Sequence, residues 1–531
     1  MRNYKKGFLL FIVICMMGVL VACADEPGDA NGTSGDEQEG AGGDLVIATI
    51  SDAVTLDPAG SNDVPSRDIQ FNIFERLINQ NEQMELEPGL AVSWEAIDET
   101  TWEFQLRENV TFHDGSAFNA EVVKANIDRL QDPEVGSSSY SRFEMISEVE
   151  VVDDYTVRII TEYPFSPLPS NLAHGSAGIV SLEQIKEDYE AMEAGEDPGS
   201  VVNQHPIGTG YFKFDEWAPG QHVVLVNNED YWGEEAAKLD SVTFKVVPED
   251  LTRLAELETG DSHVTNPLSP SDIAQVEGNE ELTVVRQDSL GIEFLGFNVE
   301  KAPFDDERVR RAIAMGIDKE QILEGIYDNI GTPAKSPLSP NVFGYDDSIS
   351  TTDYDPEGAK ELLADAGFED GLSATVWTND SRERIDIVTN IQSQLAEIGV
   401  DLEIEVFEWG AYLAETSDGG HEMYVMSWNN GTADADNGLF PLFHSSNAGT
   451  GGNKMFTRYD ELDETLEKAR QRVVEEERLS LYTEAQEFLT EKTPMVYLVH
   501  PEYLLGVRKE VKGLSMTPGK TLLLKDVYIE E

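Results

Sequence analysis

An acidic segment that follows a predicted strand contains side chains suited to binding an amine. Residues 428–437 read WNNGTADADN and include Asp434 and Asp436. An ammonium group is costly to bury without an opposite charge, and an Asp carboxylate supplies one. The segment is predicted to be a loop, where ligand-binding groups are commonly displayed. The alternative is a solvated acidic turn, since the chain has 102 acidic residues. A calcium loop fits less well, because the spacing and the terminal Glu are missing.

Basic residues are scarce in this chain, so those beside predicted loops are candidates for binding an anionic group. There are 37 Lys and Arg residues, and two of them, Arg382 and Arg384, stand in NDSRER between a predicted strand and a predicted helix. The planar fork of an arginine suits a carboxylate, and a helix beginning there would add main-chain donors. The alternative is that both arginines pair locally with Glu383 and Asp386.

Four further residues are weaker candidates for contact with a small ligand. Arg67 and Arg142, from the first half of the chain, are additional carboxylate partners. Trp409 and Trp428 lie beside the segments already named and offer aromatic contacts. Most aromatic side chains belong to the core, so only one or two are expected to touch a ligand.

No catalytic or cofactor motif is present in the sequence. HGSAG (174–178) lacks the spacing of a nucleophile elbow, and GTGGNK (449–454) lacks that of a phosphate loop. The eight His residues are dispersed and form no H-E-x-x-H pair. We therefore predict no enzyme, no cofactor and no resident metal. A nickel role that recruits His421 or His444 remains an alternative.

The N-terminal residues predict export. Arg2, Lys5 and Lys6 precede an uncharged apolar run over 8–22, which is too short for a comfortable membrane span. The run ends in LVAC, which resembles the lipobox of bacterial lipoproteins. Residues 1–22 are thus predicted to be a signal peptide and Cys23 an acylated membrane anchor. An uncleaved anchor with a chance cysteine is the alternative.

Cysteine usage and charge restrict the partners. Only Cys15 and Cys23 are present, so no disulfide or thiolate metal site is expected after processing. The formal net charge of −65 argues against nucleic acid and against anionic lipid headgroups as partners. Because salt screens self-repulsion, we predict an organism living at high salt, high pH or both.

After a flexible acidic spacer over 24–44, the chain reads as globular sequence that mixes strands and helices. Strands are predicted where residues alternate or are β-branched, at 45–49, 101–106, 148–152, 156–161, 242–247, 401–407 and 423–428. Helices are predicted over 119–130 with Asn119 as N-cap, from Asp305 or Asp306, from Asp355 to Gly367, and over 383–398. The second half alternates helix and strand, which indicates an α/β lobe. The length predicts two or three lobes.

Seven segments, in this order, resemble the large peptide-, nickel- and glutathione-binding solute receptors of bacterial ABC importers (family five). They are TLDP (55–58), LEPGLAVSWE (86–95), FHDGSAFNAEVVKANIDR (112–129), HPIGTGYFKFDEW (205–217), FNVEKAPFDDERVRRAI (297–313), YDPEGAKELLADAGF (354–368) and VRKEVKGL (507–514). Among members of the family, the chain looks most like the glutathione- and dipeptide-binding receptors.

The resemblance implies a two-lobed α/β fold of the periplasmic-binding-protein type that closes on its ligand. Lobe I would comprise residues 45–293 and 498–531 and would carry an extra subdomain. Lobe II would comprise residues 294–497, and the chain would cross the hinge twice.

The resemblance also ranks the site residues. Oligopeptide and dipeptide receptors place an amine-binding Asp three residues after the Trp, where this chain has Gly431. Glutathione-type receptors carry an Asp eight residues after it, which points to Asp436 first and Asp434 second. Dipeptide receptors place a carboxylate-binding Arg in the loop that here contains Arg382, with Arg384 next.

We therefore expect a monomeric, non-catalytic solute receptor on the outer face of the cytoplasmic membrane, extracellular in a Gram-positive cell and periplasmic in a Gram-negative one. It would capture a short peptide, such as glutathione or a di- or oligopeptide, and deliver it to ABC permease subunits driven by a cytoplasmic ATPase. A nickel or metal-chelate receptor and a peptide-sensing or chaperone-like surface lipoprotein are the alternatives.

Overall fold

The computed structural model describes residues 42–61, 63–449 and 451–530. The predicted signal peptide and the predicted acylation of Cys23 lie outside the described residues. The strands are β1 (Asp44–Thr49), β2 (Ile78–Gln80), β3 (Leu86–Pro88), β4 (Ala91–Ala96), β5 (Thr101–Leu106), β6 (Ile146–Asp153), β7 (Thr156–Thr161), β8 (Phe212–Ala218), β9 (His222–Asn227), β10 (Ser241–Val246), β11 (Val264–Asn266), β12 (Leu282–Asp288), β13 (Gly291–Phe297), β14 (Thr332–Pro333), β15 (Leu372–Asn379), β16 (Val400–Phe407), β17 (Met423–Asn429), β18 (Met495–His500), β19 (Glu502–Arg508), β20 (Val511–Lys512), β21 (Ser515–Met516), β22 (Leu522–Leu523) and β23 (Tyr528–Ile529).

The helices are α1 (Val64–Ile73), α2 (Ala120–Gln131), α3 (Leu168–Leu172), α4 (Leu182–Glu193), α5 (Ser200–Gln204), α6 (Asp250–Thr259), α7 (Ile273–Glu277), α8 (Glu307–Met315), α9 (Lys319–Tyr327), α10 (Pro356–Asp365), α11 (Arg382–Glu397), α12 (Trp409–Ser417), α13 (Ala435–Phe443), α14 (Asp460–Arg470) and α15 (Glu475–Lys492). Short 3₁₀ turns cover Tyr140–Arg142, Gly175–Ala177, Pro270–Asp272 and Ser445–Asn447.

Lobe I is built from the first half of the chain and the C-terminal segment. Its main sheet has seven strands in the order β12-β19-β11-β1-β10-β9-β8. β1 pairs in parallel with β10 and β11, and the other pairs are antiparallel. A separate antiparallel sheet, β4-β5-β7-β6, forms the core of a subdomain with α2. Inward-facing residues such as Leu45, Ile47 and Phe212 are fully buried under the main sheet.

Lobe II contains a six-stranded sheet in the order β14-β18-β13-β17-β15-β16. β15 is parallel to β16 and β17, and α11 connects β15 to β16. Ile387, Ile391 and Leu395 recur every four residues on α11 and are completely buried against this sheet, as the helical period requires. The second half is therefore the α/β lobe that its alternating pattern predicts.

The chain crosses from one large sheet to the other at two points. Residues 289–290 connect β12 to β13, and Pro501 connects β18 to β19. These two passages are short and lie side by side, because β13 pairs with β18 and β12 with β19. The predicted lobe limits fall inside β13 and β18, and the division at those residues stays a prediction.

The predicted helix starts are explained by their caps. Asn119 accepts a hydrogen bond from the backbone N of Val122 at 3.2 Å, Asp306 from Arg308 at 2.9 Å and Asp355 from Gly358 at 2.9 Å. Such side chains satisfy backbone donors that have no partner within the helix.

The predicted loop over residues 428–437 is wrong at both ends. β17 continues to Asn429, and α13 already begins at Ala435. The helix starts early because Asp434 caps it, accepting a hydrogen bond from the backbone N of Asp436 at 2.9 Å. Asp436 and Asn437 therefore lie in the first turn of a helix.

A buried ion triad stabilises the packing of α2 in lobe I. The Arg129 guanidinium donates to both carboxylate oxygens of Asp57, at 2.9 and 2.7 Å, and to Asp188 at 2.7 Å. All three side chains are almost completely buried, so each charge depends on the others for compensation.

Within residues 42–61, 63–449 and 451–530, the structure contains no helix with the length and apolar character needed to cross a membrane.

Candidate functional site

Two cavities lie on either side of the first helix, α1. The larger, about 360 Å³, is called here the arginine cavity. Its inner part is lined by Arg67, Arg76, His174 and Gly431. The smaller, about 170 Å³, is called the carboxylate cavity and is lined from both lobes, by Asp68, Lys520, Glu293, Glu383 and Arg384 among others.

The arginine cavity contains a cation that has donors to spare. Arg67 is 3% exposed and donates from Nη2 to the backbone oxygen of Gly519 at 2.8 Å and, more weakly, to that of Lys520 at 3.4 Å. Its Nε is buried without a hydrogen-bond partner, and no carboxylate forms an ion pair with it among the described residues. Burial lowers the pKa of this guanidinium. It still stays charged at neutral pH, because arginine does not deprotonate in proteins.

Arg142 repeats this arrangement next to Arg67. It is 4% exposed, donates to the Ser139 hydroxyl at 3.2 Å and has a buried Nε without a partner. Burial, and then the charge of Arg67, lower the pKa of Arg142 to about 10. Asp436 acts on the pKa of Arg142 in the opposite direction, but neither arginine forms an ion pair among the described residues. Two adjacent buried cations are unfavourable unless an anion joins them.

His174 completes the inner wall of the arginine cavity as a neutral imidazole. Its Nδ1 lies 2.9 Å from the Ser176 hydroxyl, and burial, followed by the charges of Arg142 and Arg67, holds its pKa well below the usual value. A Cβ placed on Gly431 would lie 3.0 Å from Cδ2 of His174 and 3.5 Å from Nη1 of Arg67. This position, which the resemblance singled out, therefore borders a neutral imidazole and a guanidinium rather than an anionic group.

In the carboxylate cavity the balance of charge is reversed. Five acidic side chains line it, against two basic ones: Asp52, Asp68, Glu293, Glu383 and Glu502 against Arg384 and Lys520. The three guanidinium nitrogens of Arg384 are all engaged, donating to Glu293 at 3.3 Å, Asn379 at 3.0 Å and Ser427 at 2.6 Å.

Asp68 is the carboxylate with free acceptor capacity in this cavity. It is 4% exposed, and its Oδ2 accepts from Asn266 at 3.2 Å, while Oδ1 has no partner. Burial raises the pKa of Asp68 to about 7. Burial, followed by repulsion from Glu293, also raises the pKa of Glu383 to about 7.

The turn of the C-terminal hairpin β21–β22 contributes to the wall between the two cavities. The backbone oxygen of Gly519 accepts from Arg67 of lobe I and, at 2.6 Å, from Asn429 of lobe II. Lys520 follows with φ of +59° and directs its ammonium toward the carboxylate cavity, 4.9 Å from the centre of the Tyr503 ring.

The predicted amine-binding residues are engaged in ion pairs inside lobe II. Asp436 is 4% exposed, and its Oδ1 lies 3.0 Å from Nε of Arg470. Asp434 accepts from Arg478 at 2.8 and 2.9 Å. Neither carboxylate lines the arginine cavity or the carboxylate cavity. Their role as amine ligands stays a prediction.

The other predicted residues are divided between the cavities and their surroundings. Arg67 lines the arginine cavity, and Arg384 and Trp409 line the carboxylate cavity. Arg382, in the first turn of α11, is 45% exposed and lies 3.9 Å from both Asp250 and Asp386. Arg142 and Trp428 also lie outside both cavities. Arg142 lies behind Arg67, and the indole N–H of Trp428 donates to the Asn437 carbonyl at 2.9 Å.

Sequence reasoning missed Asp68, His174, Arg76 and Lys520. Lys520 and Arg76 are among the few basic residues of the chain, and that scarcity was the one sequence signal that could have marked them as candidates. Asp68 is one of 102 acidic residues, and nothing in its neighbourhood along the chain distinguishes it.

The lobes are in contact across the cleft. Arg470 on α14 of lobe II donates to Glu144 of lobe I at 2.9 Å and to the Ser141 backbone oxygen at 2.7 Å. The Trp409 indole N–H is 3.4 Å from the Asp63 carboxylate. The structure is therefore a closed form.

The described residues contain no group of three His, Cys, Asp or Glu side chains placed to hold a metal ion. His421 is buried, with Nε2 2.8 Å from the Lys454 carbonyl. His444 stacks on Phe440 and is 3.4 Å from Glu467. These two histidines, the candidates for a nickel role, thus have partners within the protein.

A family model, "Bacterial extracellular solute-binding proteins, family 5 Middle", matches residues 85–450. The glutathione-binding protein GsiB of Pectobacterium atrosepticum is 31% identical over 496 residues, which cover 92% of this chain and 94% of the relative. The dipeptide-binding protein of Escherichia coli is 32% identical over 471 residues, 84% and 86% of the two chains.

Solved structures match the fold over nearly the whole chain. The periplasmic binding protein DppA of Helicobacter pylori, in complex with the peptide STSA, has a TM-score of 0.86 at 31% identity, with 93% of this chain and 99% of that chain covered. The oligopeptide-binding protein AppA of Bacillus subtilis, in complex with a nonapeptide, has a TM-score of 0.85 at 26% identity and coverage of 93% and 100%. These matches confirm the predicted two-lobed fold and the predicted resemblance, and the chain belongs to family 5 of the bacterial extracellular solute-binding proteins.

Proposed function

We propose that this protein captures a short peptide-like solute, such as glutathione or a di- or oligopeptide, and delivers it to an ABC permease. The observation that carries the proposal is Arg67, a buried cation at the arginine cavity with unused donors and no ion pair among the described residues. In a chain with a net charge of −65, a buried arginine that forms no ion pair can receive an anionic group supplied by a ligand.

Closure of the two lobes is proposed to be the binding step. A ligand shifts the population toward the closed form to the extent that it contacts that form better than the open one. The contacts of Arg470 with Glu144 and of Trp409 with Asp63 exist only while the lobes are together, so they add to the stability of the closed form. No bond is made or broken in the ligand, and we assign the protein no catalytic role.

We propose that the protein lies on the outer face of the cytoplasmic membrane, anchored by an acyl group on Cys23. There it would work as a monomer beside permease subunits that are driven by a cytoplasmic ATPase. The basis is the LVAC sequence after a short apolar run. Replacing Cys23 with Ser should move the protein from the membrane fraction to the medium or periplasm. Retention in the membrane would contradict the anchor.

Isothermal titration calorimetry tests the ligand class. Glutathione, a dipeptide and a tetrapeptide are each titrated into the purified protein, and nickel with and without L-histidine serves as the comparison. At least one peptide should bind below about 100 μM, which corresponds to roughly −5.5 kcal/mol. Heat with nickel–histidine but none with any peptide would instead support a metal-chelate receptor. Peptide binding without any transport defect on deletion would favour a peptide-sensing lipoprotein.

A further inference from the structure

We infer that a carboxylate of the ligand is bound in the arginine cavity by two donors, Nη1 of Arg67 and Nε2 of His174, and that Gly431 keeps both donors open. This inference rests on the proposed function, because it assumes a peptide-like solute that carries a carboxylate. It adds a second binding residue, His174, and a residue that determines specificity, Gly431.

The hydrogen bonds of His174 determine which ring nitrogen carries the proton. The backbone N–H of Ser176 donates to Nδ1 at 3.2 Å, and a backbone N–H can act only as a donor. Nδ1 is therefore an acceptor, and the proton of the neutral imidazole is on Nε2. The ring is neutral because burial, followed by the charges of Arg142, Arg67 and Arg76, holds its pKa well below the usual value. His174 thus presents an N–H donor at Nε2.

Two N–H donors of the arginine cavity have no partner among the described residues. The His174 ring makes its hydrogen bonds with Ser176 through Nδ1, and Arg67 makes its own through Nη2. Nε2 of His174 and Nη1 of Arg67 do not belong to the fully buried polar atoms that lack a partner. Each is therefore accessible from the cavity that both residues line.

Gly431 lies where these two donors meet. A Cβ at this position would be 3.3 Å from Nε2 of His174 and 3.5 Å from Nη1 of Arg67. A side chain here would cover both donors, whereas glycine leaves them open. A carboxylate that approaches over the Cα of Gly431 can accept from both, and both hydrogen bonds are charge-assisted because the acceptor is ionised.

The turn that follows His174 holds Arg67 in position. A Cβ on Gly175 would lie 2.8 Å from Cγ of Arg67 and 2.7 Å from the ring of Phe71, so the glycine lets the stem of Arg67 pack against the backbone of the turn. At the other end of the side chain, Nη2 donates to the Gly519 oxygen at 2.8 Å. The guanidinium is therefore fixed before a ligand arrives, which lowers the entropic cost of binding.

Among the described residues, no carboxylate of the protein forms an ion pair with either donor, although the charges of Asp68 and Asp63 raise the pKa of Arg67. Glu75 is buried in the same cavity, but it accepts hydrogen bonds from three neutral donors: Tyr231 at 2.8 Å, Thr209 at 2.8 Å and Trp232 at 2.6 Å. The other acidic lining residues, Glu82, Glu87 and Asp526, are exposed. The place beside Gly431 is thus left for an anionic group of the ligand.

Isothermal titration with the tripeptide Ala-Ala-Ala and its C-terminal amide tests the role of His174. The wild type should bind the free acid at least about 10-fold more tightly than the amide. His174→Asn removes Nε2 but keeps an acceptor in the place of Nδ1, so the acid should bind about 10-fold more weakly and the amide less than about 3-fold. His174→Gln keeps an N–H in the place of Nε2 and should retain most of the preference for the acid.

Gly431→Asp and Gly431→Asn form a matched pair that needs no ligand. Both variants add similar bulk beside His174, but only Asp supplies a carboxylate to the two donors. The ligand-free Gly431→Asp protein should melt at least about 2 °C above Gly431→Asn, although it adds a negative charge to a chain whose net charge is −65. It should also lose the preference for the free acid, because its own carboxylate occupies the place.

Three results would overturn the inference. They are a wild type without preference for the acid, an unchanged acid-to-amide ratio in His174→Asn, and a Gly431→Asp protein that melts no higher than Gly431→Asn. NMR of the imidazole nitrogens checks the wild type without any substitution, and a proton on Nδ1 of His174 would also contradict it. Binding of no peptide, glutathione included, would refute the proposed function, and the melting comparison would still decide whether the two donors receive an anion.

Discussion

Arg67 and Asp68 are adjacent on α1, yet their side chains line different cavities. Successive residues of an α-helix point about 100° apart, so one turn of helix presents a cation to one side of the wall and a carboxylate to the other. A single element thereby fixes the spacing of two opposite charges. Movement of the lobes does not change that spacing, because both residues belong to lobe I.

Asp68→Asn should stabilise the ligand-free protein increasingly as the pH rises. Burial raises the pKa of Asp68 to about 7, so the folded wild type holds a proton that the unfolded chain loses near its ordinary value of about 4. The wild type therefore loses stability as the pH rises from about 4 to about 7, and the loss stays constant above that. The Asp68→Asn variant does not lose stability in this way, because an amide does not ionise. Urea unfolding should show little difference between the wild type and the variant at pH 4 and a difference of the order of 4 kcal/mol at pH 8.

Asp128→Asn is the control for this experiment. Asp128 is 52% exposed and pairs with Lys124 on the surface, so its substitution should change stability little at either pH. A pH-independent effect of Asp68→Asn would contradict the protonated state assigned to it.

Arg129→Met should strongly destabilise lobe I. The substitution leaves Asp57 and Asp188 buried without their guanidinium partner, and breaking such a buried pair costs about 3–5 kcal/mol. The matched variant Arg158→Met removes an arginine that is one-third exposed and pairs with Glu103, which should cost less than about 1 kcal/mol. Chemical denaturation measures both. Equal effects of the two variants would count against the triad.

Glu144→Gln should weaken ligand binding without weakening either lobe. Its carboxylate receives Arg470 across the cleft at 2.9 Å, so the substitution removes a charge pair present only in the closed form. We expect an increase in Kd of about 3- to 10-fold, equivalent to roughly 0.7–1.4 kcal/mol, together with a larger radius of gyration in solution scattering. Glu300→Gln, which breaks the Arg458–Glu300 pair within lobe II, should leave Kd unchanged. Identical Kd values for the two variants would exclude this contact from closure.

Asp436→Asn separates a ligand-binding role from a structural one. Asp436 is buried 3.0 Å from Arg470, so its loss should cost about 1–3 kcal/mol of stability. If the ion pair is its role, the affinity ratio between a free and an N-acetylated tripeptide stays unchanged. A ratio that falls with Asp436→Asn would instead support the amine-binding role predicted from the sequence.

Salt should stabilise the protein. With a net charge of −65, repulsion opposes the compact state, and at 1 M salt the screening length falls to about 3 Å. The melting temperature should therefore rise steadily between 50 mM and 1 M NaCl. A maximum below about 50 mM would refute the proposed adaptation to salt.

The fold was largely predictable from the sequence because its signals are local. Asn119, Asp306 and Asp355 are caps that act within three residues, and the alternation in TWEFQL produces β5 directly. The ion pairs of Asp434 and Asp436 were harder to predict, because their partners, Arg478 and Arg470, lie far along the chain and meet them only through the packing of α13 against α14 and α15.

The site was predictable only where composition helped. Arg67 was a candidate because basic residues are rare in this chain, although nothing along the sequence indicated that its guanidinium is buried and forms no ion pair among the described residues. Asp68 was missed because its buried, half-satisfied carboxylate results from folding and has no sequence signature.

The wall between the cavities comes from the last part of the chain. β21 and β22 pair as a short hairpin, and the oxygen of Gly519 at its turn joins Arg67 to Asn429. One turn of a few residues, supplied by the end of the chain, thus ties lobe I to lobe II through a single backbone oxygen. Lengthening or shortening that turn would change how the two lobes are held together without altering either large sheet.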